Sequence, residues 1–213
     1  MTIKGILFDL DGTLLETTPL IICSFQHAFT TVYNRPIAES DVFSFFGKPL
    51  RAAMEALGPD KPEELLQAFR EYNLAHHDEM VTIFPDIETT LAELEAAGLK
   101  LAIVTSKVSK TARRGLALFD LEKYFSLIIG LEDSLHHKPD PEPVLTALSL
   151  LGLAPEECLM VGDSPFDILS AHRAGVEAAA VCWSHVDWNE VLAAKPEYIL
   201  SNIRQLKEIC KLL

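Results

Sequence analysis

The stretch GILFDLDGT, residues Gly5 to Thr13, places a short run of apolar residues directly before two aspartates. A continuous apolar run of this length is typical of a strand that is buried on both faces. Asp9 and Asp11 follow this strand, and two carboxylates in contact repel each other unless a cation neutralises them. The stretch therefore predicts a buried strand that carries two acidic side chains to a cation-binding edge.

Past residue 85, the sequence alternates between strand-length apolar runs and amphipathic helices. Helices are predicted over 85–98 and 141–152, since each begins near a proline and ends at a glycine. The predicted strands are residues 3–8, 99–106, 126–130, 158–163, 176–183 and 197–200. Continuous apolar strands that alternate with helices indicate an α/β fold with a doubly wound parallel sheet.

The interval between the first two predicted strands is several times the dozen or so residues that a crossover helix needs. We therefore predict an inserted helical domain over residues 16–82 and a core domain over residues 1–15 and 83–213. Helical periodicity within the insertion agrees with this division. It is found over residues 17–33, 45–58 with a break at 47–49, and 61–80.

Charge and composition exclude several classes of partner. The net charge of −13 would repel a nucleic-acid backbone, so no nucleic-acid partner is expected. The N-terminal apolar run is broken by aspartates and no segment reaches bilayer length, so neither a signal peptide nor a membrane partner is expected. Four scattered cysteines without a CxxC pair are typical of the reduced thiols of a cytoplasmic protein. No oligomeric state is predicted from the sequence.

Further polar residues follow the later strands. Thr105 and Ser106 follow the second strand, Asp163 follows the fourth, and Lys138 lies in the loop after the third. Carboxyl ends of parallel strands meet at one edge, where ligands bind in open α/β sheets, so these residues should converge. The oxygen ligands favour a hard cation, and Mg²⁺ is the one we expect. With Mg²⁺ and Lys138 in place, the pocket would be positive enough for a small anionic phosphorylated substrate.

Four motifs in this order resemble those of the haloacid dehalogenase (HAD) superfamily of phosphotransferases. They are FDLDGT at residues 8–13, AIVT at 102–105, KPDP at 138–141 and VGDSPFD at 161–167. The resemblance covers essentially the whole chain, including the insertion. It implies a Rossmann-like core, phosphatase activity and dependence on Mg²⁺.

The resemblance also implies roles for individual residues. Asp9 matches the nucleophile that forms an aspartyl-phosphate, and Asp11 matches the general acid and base. Thr105, supported by Ser106, matches the group that binds the transferring phosphoryl oxygens. Lys138 matches the cation that offsets the charge of the transition state.

The metal site implied by the resemblance consists of Asp9, the backbone carbonyl of Asp11, and Asp163. Asp167 matches the acid that orients Lys138 or a metal-bound water. An acid at position 11 also favours a phosphoester or phosphoanhydride substrate, because dehalogenases and phosphonatases lack it.

The insertion resembles the helical C1 cap that closes over small substrates in this superfamily. Its segment GKPL, residues 47–50, matches phosphoglycolate phosphatase-like caps and makes Lys48 a candidate anion contact. Arg70, Asn73 and His77 share one face of the last predicted cap helix and are candidates for a second anionic group. All four side chains could equally be solvated.

Three stretches of sequence are similar to bacterial pyrophosphatases of the superfamily. They are LIICSF at 20–25, REYNLAHHDEMV at 70–81 and KPDPEPVLTAL at 138–148. Pyrophosphate is therefore the first expected substrate and 2-phosphoglycolate is the alternative.

Two further hypotheses are less favoured. A β-phosphoglucomutase-type isomerase would resemble a pattern with a histidine in the first cap helix, where this chain has Ile21. A non-catalytic binding domain would be indicated by the loss of a catalytic acid, but Asp9, Asp11 and Asp163 are all present.

Overall fold

The computed structural model describes residues 2–212, which form a six-stranded sheet and a separate two-stranded pair. In chain order, the strands are β1 (Gly5–Phe8), β2 (Leu15–Glu16), β3 (Thr82–Ile83), β4 (Lys100–Val104), β5 (Leu127–Ile129), β6 (Cys158–Gly162), β7 (Glu177–Val181) and β8 (Tyr198–Leu200). The six-stranded sheet has the order β5-β4-β1-β6-β7-β8, and all neighbouring strands are parallel.

Helices precede and follow the strands. In chain order they are α1 (Thr18–Tyr33), α2 (Glu39–Phe43), α3 (Leu50–Leu57), α4 (Pro62–Met80), α5 (Ile87–Ala96), α6 (Ser109–Leu118), α7 (Glu142–Leu151), α8 (Pro165–Arg173), α9 (Trp188–Ala193) and α10 (Leu206–Ile209). Short 3₁₀ turns occur at Glu122–Tyr124, Leu131–Asp133, Pro155–Glu157 and Ile203–Gln205.

Both faces of the six-stranded sheet are buried. On β1, Ile6 and Phe8 belong to one apolar cluster and Leu7 belongs to the other, because successive side chains of a strand point to opposite faces. Residues of α5 and α6 join the first cluster, whereas residues of α7, α8 and α9 join the second. Helices therefore cover the sheet on both sides, which confirms the predicted doubly wound α/β fold.

Helix α5 shows how the sequence produces one of these layers. Ile87, Leu91 and Leu94 recur at helical spacing and are all buried against the first cluster. Full burial of one such side chain contributes about 1.5–3 kcal/mol relative to leaving it in water. The chain leaves the helix through Gly98, whose φ of +86° lies in the left-handed region that glycine tolerates best.

Four helices, α1 to α4, lie between β2 and β3. These two strands pair antiparallel, with Leu15 opposite Ile83 and Glu16 opposite Thr82, so the chain enters and leaves the helical region side by side. The four helices enclose an apolar cluster of their own, in which Phe25 and Phe69 pack edge to face at 5.1 Å between ring centroids. We refer to this region as the inserted helices.

Several boundaries differ from the sequence expectations. The first strand begins at Gly5 instead of residue 3, and the helical pattern predicted from residue 45 begins only at Leu50 as α3. Helix α2 and the β2–β3 pair were not predicted. Both have five residues or fewer, which is too short for hydrophobic periodicity to reveal.

Two further features concern the chemistry of the whole chain. None of the helices within residues 2–212 combines the length and the apolar character that crossing a membrane requires. The four cysteines are free thiols, as predicted from their scattered positions.

Candidate active site

The candidate site lies where the strand order reverses, because β4 and β5 are added on one side of β1 and β6, β7 and β8 on the other. Strand β1 is flanked by β4 on one side and β6 on the other, which is the switch point at which α/β sheets bind ligands. Asp9, Thr105 and Asp163 come directly after these three strands, and each is only 6% exposed. The fold therefore delivers three buried polar side chains to one edge.

Lys138 links two of the acids at this edge. Its ammonium donates hydrogen bonds to Asp9 Oδ1 at 2.7 Å, to Asp167 Oδ1 at 2.5 Å and to the carbonyl of Val104 at 3.0 Å. Burial alone would lower the pKa of Lys138, but the charges of Asp167 and Asp9 outweigh it and raise the pKa above its usual value. Lys138 therefore stays charged and all three of its donors are used.

The first turn of α8 fixes Asp167. Its Oδ2 accepts hydrogen bonds from the backbone N–H of Ser164 at 3.0 Å and from the Ser164 hydroxyl at 2.5 Å. This is a capping box, in which an acid three residues into the helix satisfies the backbone donor of the capping residue. Because Lys138 and Ser164 engage both oxygens of Asp167, this residue can orient the Lys138 ammonium.

Asp163 lies between a serine and the glycine of the first motif. Its Oδ2 accepts a hydrogen bond from the Ser184 hydroxyl at 2.5 Å. A Cβ on Gly12 would come within 2.2 Å of the same oxygen, and Gly12 has a φ of +81°. Only glycine satisfies both conditions, since other residues rarely adopt this backbone conformation and their Cβ would collide with the carboxylate.

Within residues 2–212, the acidic side chains of this cluster outnumber the cations that contact them. Oxygens of Asp9, Asp163 and Asp167 lie within 4.8 Å of one another, and Lys138 is the ammonium that contacts this cluster. Burial raises the pKa of Asp9 to about 7, with Lys138 opposing this and Asp167 adding to it. Burial also raises the pKa of Asp163 well above its usual value, and repulsion from Asp9 and Asp167 adds to that effect. The three carboxylates supply oxygen ligands and share a single ammonium. This set of ligands is suited to a hard divalent cation.

Asp11 has a cationic partner that the sequence did not reveal. Lys107 Nζ donates to Asp11 Oδ1 at 2.7 Å, and both side chains are partly buried. The backbone N–H of Lys107 also donates to the Thr105 hydroxyl at 3.2 Å. Lys107 therefore connects two of the predicted catalytic residues.

Known proteins resemble this chain over almost its whole length. The family model described as haloacid dehalogenase-like hydrolase matches residues 6–181. The chain belongs to the haloacid dehalogenase-like hydrolases. Pyrophosphatase PpaX of Oceanobacillus iheyensis is 42% identical over 97% of this chain and 96% of its own length, and pyrophosphatase PpaX of Anoxybacillus flavithermus is 40% identical over 98% and 97%.

A solved structure supports the same conclusion. The crystal structure of "a predicted phosphoglycolate phosphatase" from Haemophilus somnus superposes with a TM-score of 0.88 at 26% identity, covering 98% of each chain. The family match, the relatives and this structure together identify the present haloacid dehalogenase-like hydrolase as a phosphohydrolase.

The loop between α2 and α3 brings the inserted helices against the sheet edge that holds the candidate site. The Ser106 hydroxyl donates to the carbonyl of Gly47 at 3.1 Å, so its side chain contacts the insertion. Gly47 has a φ of +80°, and a Cβ there would lie 2.9 Å from the ring of Phe166. Lys48 is exposed, with its ammonium 4.7 Å from the ring centroid of Phe45 and 5.8 Å from that of Phe166.

The three candidates on α4 have different surroundings. Arg70 is exposed, and Asn73 donates to the Ser24 hydroxyl of α1 at 3.3 Å. His77 is 1% exposed, and its Nε2 faces Gly115 of the core helix α6 without a hydrogen-bond partner among the described residues. Its Nδ1 lies 2.8 Å from Asp78 Oδ1.

Burial lowers the pKa of His77, and the charge of Lys107 contributes to the same direction. The helix spacing that suggested a shared face for Arg70, Asn73 and His77 therefore does not give them a shared environment. The neighbours of α4 change along its length, because Asn73 meets Ser24 of α1 whereas His77 meets Gly115 of α6.

Two polar residues at the site were missed by sequence reasoning. Lys107 lies two positions after Thr105, in VTSK. Its position just after the second strand could therefore have identified it as a residue of the site. Ser184 stands 21 residues after its partner Asp163, beyond the end of β7, and no sequence pattern marks it. The two residues come together because β6 and β7 pair in parallel, which places the ends of both strands at the same edge.

Proposed function

We propose that this hydrolase is a Mg²⁺-dependent phosphatase that cleaves inorganic pyrophosphate through an aspartyl-phosphate on Asp9. The observation that carries the reaction type is the buried cluster in which Lys138 contacts Asp9 and Asp167 next to Asp163. The observation that favours pyrophosphate is the 40–42% identity to proteins named pyrophosphatase PpaX over nearly the full chain.

In the first half-reaction, Asp9 attacks one phosphorus of the substrate. A new bond forms between an Asp9 oxygen and phosphorus, and the bridging P–O bond breaks with its electron pair going to the leaving phosphate. Asp11 donates a proton to that oxygen as general acid. Lys138, already in contact with Asp9 Oδ1, offsets the negative charge that gathers around the attacking carboxylate.

In the second half-reaction, water replaces the leaving phosphate. Asp11 takes a proton from this water as general base, the water oxygen bonds to phosphorus, and the bond to Asp9 breaks. Thr105 holds the phosphoryl oxygens in both steps, with Ser106 next to it. The sum of the two steps is one pyrophosphate plus one water giving two phosphates, with Asp9 and Asp11 restored.

Asp9, the backbone carbonyl of Asp11, and Asp163 are proposed to hold Mg²⁺. When bound, this ion would neutralise the carboxylates and stabilise negative charge on the phosphoryl group. The Ser184 hydroxyl holds one oxygen of Asp163, which leaves the other oxygen for a cation. Asp167 keeps the Lys138 ammonium directed at Asp9.

We also propose that the inserted helices act as a cap domain, residues 16–82, over a core domain of residues 1–15 and 83–213. The apolar cluster within α1 to α4 and the antiparallel β2–β3 pair at the junction support this division. A cap that excludes water favours a small phosphorylated substrate over a polymer. Lys48, Arg70, Asn73 and His77 are the proposed cap residues that select it.

2-Phosphoglycolate is the second candidate substrate. The Haemophilus somnus structure, described as "a predicted phosphoglycolate phosphatase", covers 98% of this chain with a TM-score of 0.88. This structural likeness comes with lower identity, 26%, than the likeness to the PpaX proteins. Pyrophosphate therefore remains the first choice.

A direct comparison of substrates tests the proposal. Phosphate release is measured from pyrophosphate, 2-phosphoglycolate and β-glucose 1-phosphate, with and without Mg²⁺, and D9N provides the blank. We expect kcat/KM for pyrophosphate to exceed the others by about ten-fold or more, which corresponds to about 1.4 kcal/mol of transition-state binding. A lead for phosphoglycolate would reverse the substrate order, and activity in D9N equal to that of the wild type would remove Asp9 as nucleophile.

A further inference from the structure

Lys107 is the cation at the site whose purpose the reaction above leaves open. Its side chain is 16% exposed, and its ammonium donates to Asp11 Oδ1 at 2.7 Å. Lys138 is fully engaged by Asp9, Asp167 and the Val104 carbonyl. Lys107 has a single carboxylate partner among residues 2–212, so its remaining N–H donors can be offered to a ligand.

The backbone of Lys107 is held in place on both sides. Its N–H donates to the Thr105 hydroxyl at 3.2 Å, and its carbonyl accepts a hydrogen bond from the Leu131 N–H at 2.9 Å. A Cβ on Gly130 would come within 3.0 Å of the same carbonyl, so the two loops pack tightly there. The side chain therefore starts from a fixed point, and its reach to Asp11 is a property of the fold.

The position of Lys107 beside Asp11 has a chemical consequence. Asp11 is the proposed proton donor to the leaving oxygen, so a group in contact with Asp11 also lies beside the leaving group. An alcohol or phenol leaves as a neutral molecule once it is protonated. A leaving phosphate keeps negative charge and must depart from an edge that is crowded with carboxylates, in a chain of net charge −13.

We propose that Lys107 contacts the leaving phosphate and determines the preference of this enzyme for substrates whose leaving group is an anion. The inference rests on the proposed function, because it assigns the second phosphate of pyrophosphate to a place next to Asp11. The Lys107 ammonium then donates hydrogen bonds to both Asp11 and the leaving phosphate. The charge-assisted bond to the phosphate replaces a hydrogen bond to water.

A role for Lys107 in orienting Asp11 alone would give a different pattern of activity across substrates. A lysine that only orients Asp11 should matter for every substrate that needs a proton on its leaving oxygen. Phenyl phosphate is such a substrate, and its leaving group is uncharged after protonation. The comparison of pyrophosphate with phenyl phosphate therefore separates an anion contact from the orientation of Asp11.

The experiment measures kcat/KM for pyrophosphate and phenyl phosphate in the wild type and in K107M, K107R and K110M. Lys110 is the matched control, because it is an exposed lysine three residues further along the chain, in the first turn of α6. We expect K107M to lose about ten- to a hundred-fold with pyrophosphate and less than about three-fold with phenyl phosphate. K107R should recover much of the loss, and K110M should resemble the wild type with both substrates.

Two results would overturn the inference alone: equal loss with both substrates in K107M, or no loss with pyrophosphate. If the wild type releases no more phosphate from pyrophosphate than D9N does, the proposed function fails and the inference falls with it. Thermal unfolding of each variant shows whether the chain has folded. If K107M does not fold, K107Q takes its place with the same expected ratio.

Discussion

The sheet edge of this hydrolase buries and pairs its charged side chains, whereas the inserted helices expose two of their candidate cations. At the edge, Asp9, Lys138 and Asp167 are nine-tenths buried or more, and Lys138 donates a hydrogen bond to each of the two acids. On the inserted helices, Lys48 and Arg70 are exposed and belong to no ion pair among the described residues. Burying a charge is costly unless it is paired, so the positions of the charged side chains at the edge are tightly constrained. The exposed side chains can adopt several conformations at little cost.

This difference suggests a division of labour. In the proposed function, the reaction is carried out by side chains at the edge formed by strands β1, β4 and β6. We propose that side chains on the loop between α2 and α3 and on α4 contribute to substrate selection. Changes to the groups that would act on the transferring phosphoryl group, such as Asp9, should therefore affect all substrates. Changes in the inserted helices, like the change at Lys107, should affect only some of them.

The strongest test of the edge is D9N. We expect kcat to fall by about 10⁴-fold or more with every phosphorylated substrate, because the amide cannot serve as the nucleophile. The variant should fold, since the substitution removes a buried charge whose ionisation burial already opposes. Phosphate release and far-UV circular dichroism measure the two effects. Retention of more than about a tenth of the activity would assign the nucleophile elsewhere.

Stability should show the next largest effect. K138M leaves the buried carboxylates of Asp9 and Asp167 without their ammonium, and removing one partner of a buried pair costs about 3–5 kcal/mol. K123M is the matched control, because Lys123 pairs with Asp120 at the surface and its loss should leave the unfolding midpoint unchanged. Urea unfolding without added metal measures both, and equal midpoints would show that the buried pair contributes no stability.

Stabilisation by Mg²⁺ should depend on pH. The pKa of Asp9 is about 7, above its value in the unfolded chain, so ionisation of Asp9 destabilises the metal-free fold as the pH rises through 7. Asp163 acts in the same direction. A bound cation removes this repulsion, so Mg²⁺ should raise the melting temperature more at pH 8 than at pH 6.

At saturation near one hundred times the dissociation constant, the gain at pH 8 is about 2.7 kcal/mol. Thermal unfolding in matched buffers with and without Mg²⁺ measures it. D163A should lose most of the gain, because the metal then lacks one of its ligands. A gain that is larger at pH 6, or one that persists unchanged in D163A, would contradict the assignment.

Substitutions in the inserted helices should have the smallest and most selective effects. We expect K48A and H77A to change kcat/KM for pyrophosphate by about three- to ten-fold and to leave 4-nitrophenyl phosphate nearly unchanged. The physical reason is that, in the proposed function, the cap side chains select the part of the substrate that an aryl phosphate lacks. Parallel kinetics with both substrates measure this, and equal changes would show that the two residues act through the fold.

The sheet and its acidic edge were predictable because each strand carries its own signal. An apolar run followed by Asp9, Thr105 or Asp163 needs no knowledge of distant residues, and parallel pairing then brings the strand ends together. The predicted fold class is confirmed for this reason. Pairings between loops carry no such signal, which is why the contact of Ser184 with Asp163 was missed.

The inserted helices were harder to interpret. Helical spacing correctly placed Arg70, Asn73 and His77 on one helix, α4. Their burial depends on which neighbours α4 meets along its length, and periodicity does not encode this. His77 meets Gly115 of α6 whereas Arg70 faces solvent, so side chains at regular spacing have different environments.

The two-residue pairing of β2 with β3 also bears on how such an enzyme can change over time. Because Leu15 lies opposite Ile83, the chain leaves the core and returns to it at adjacent points. Helices of another length or sequence could be exchanged between those points without shifting the register of β1 against β4 and β6. The same sheet edge can thus be combined with different inserted domains that select different substrates. Each such domain needs only two adjacent connections to the core.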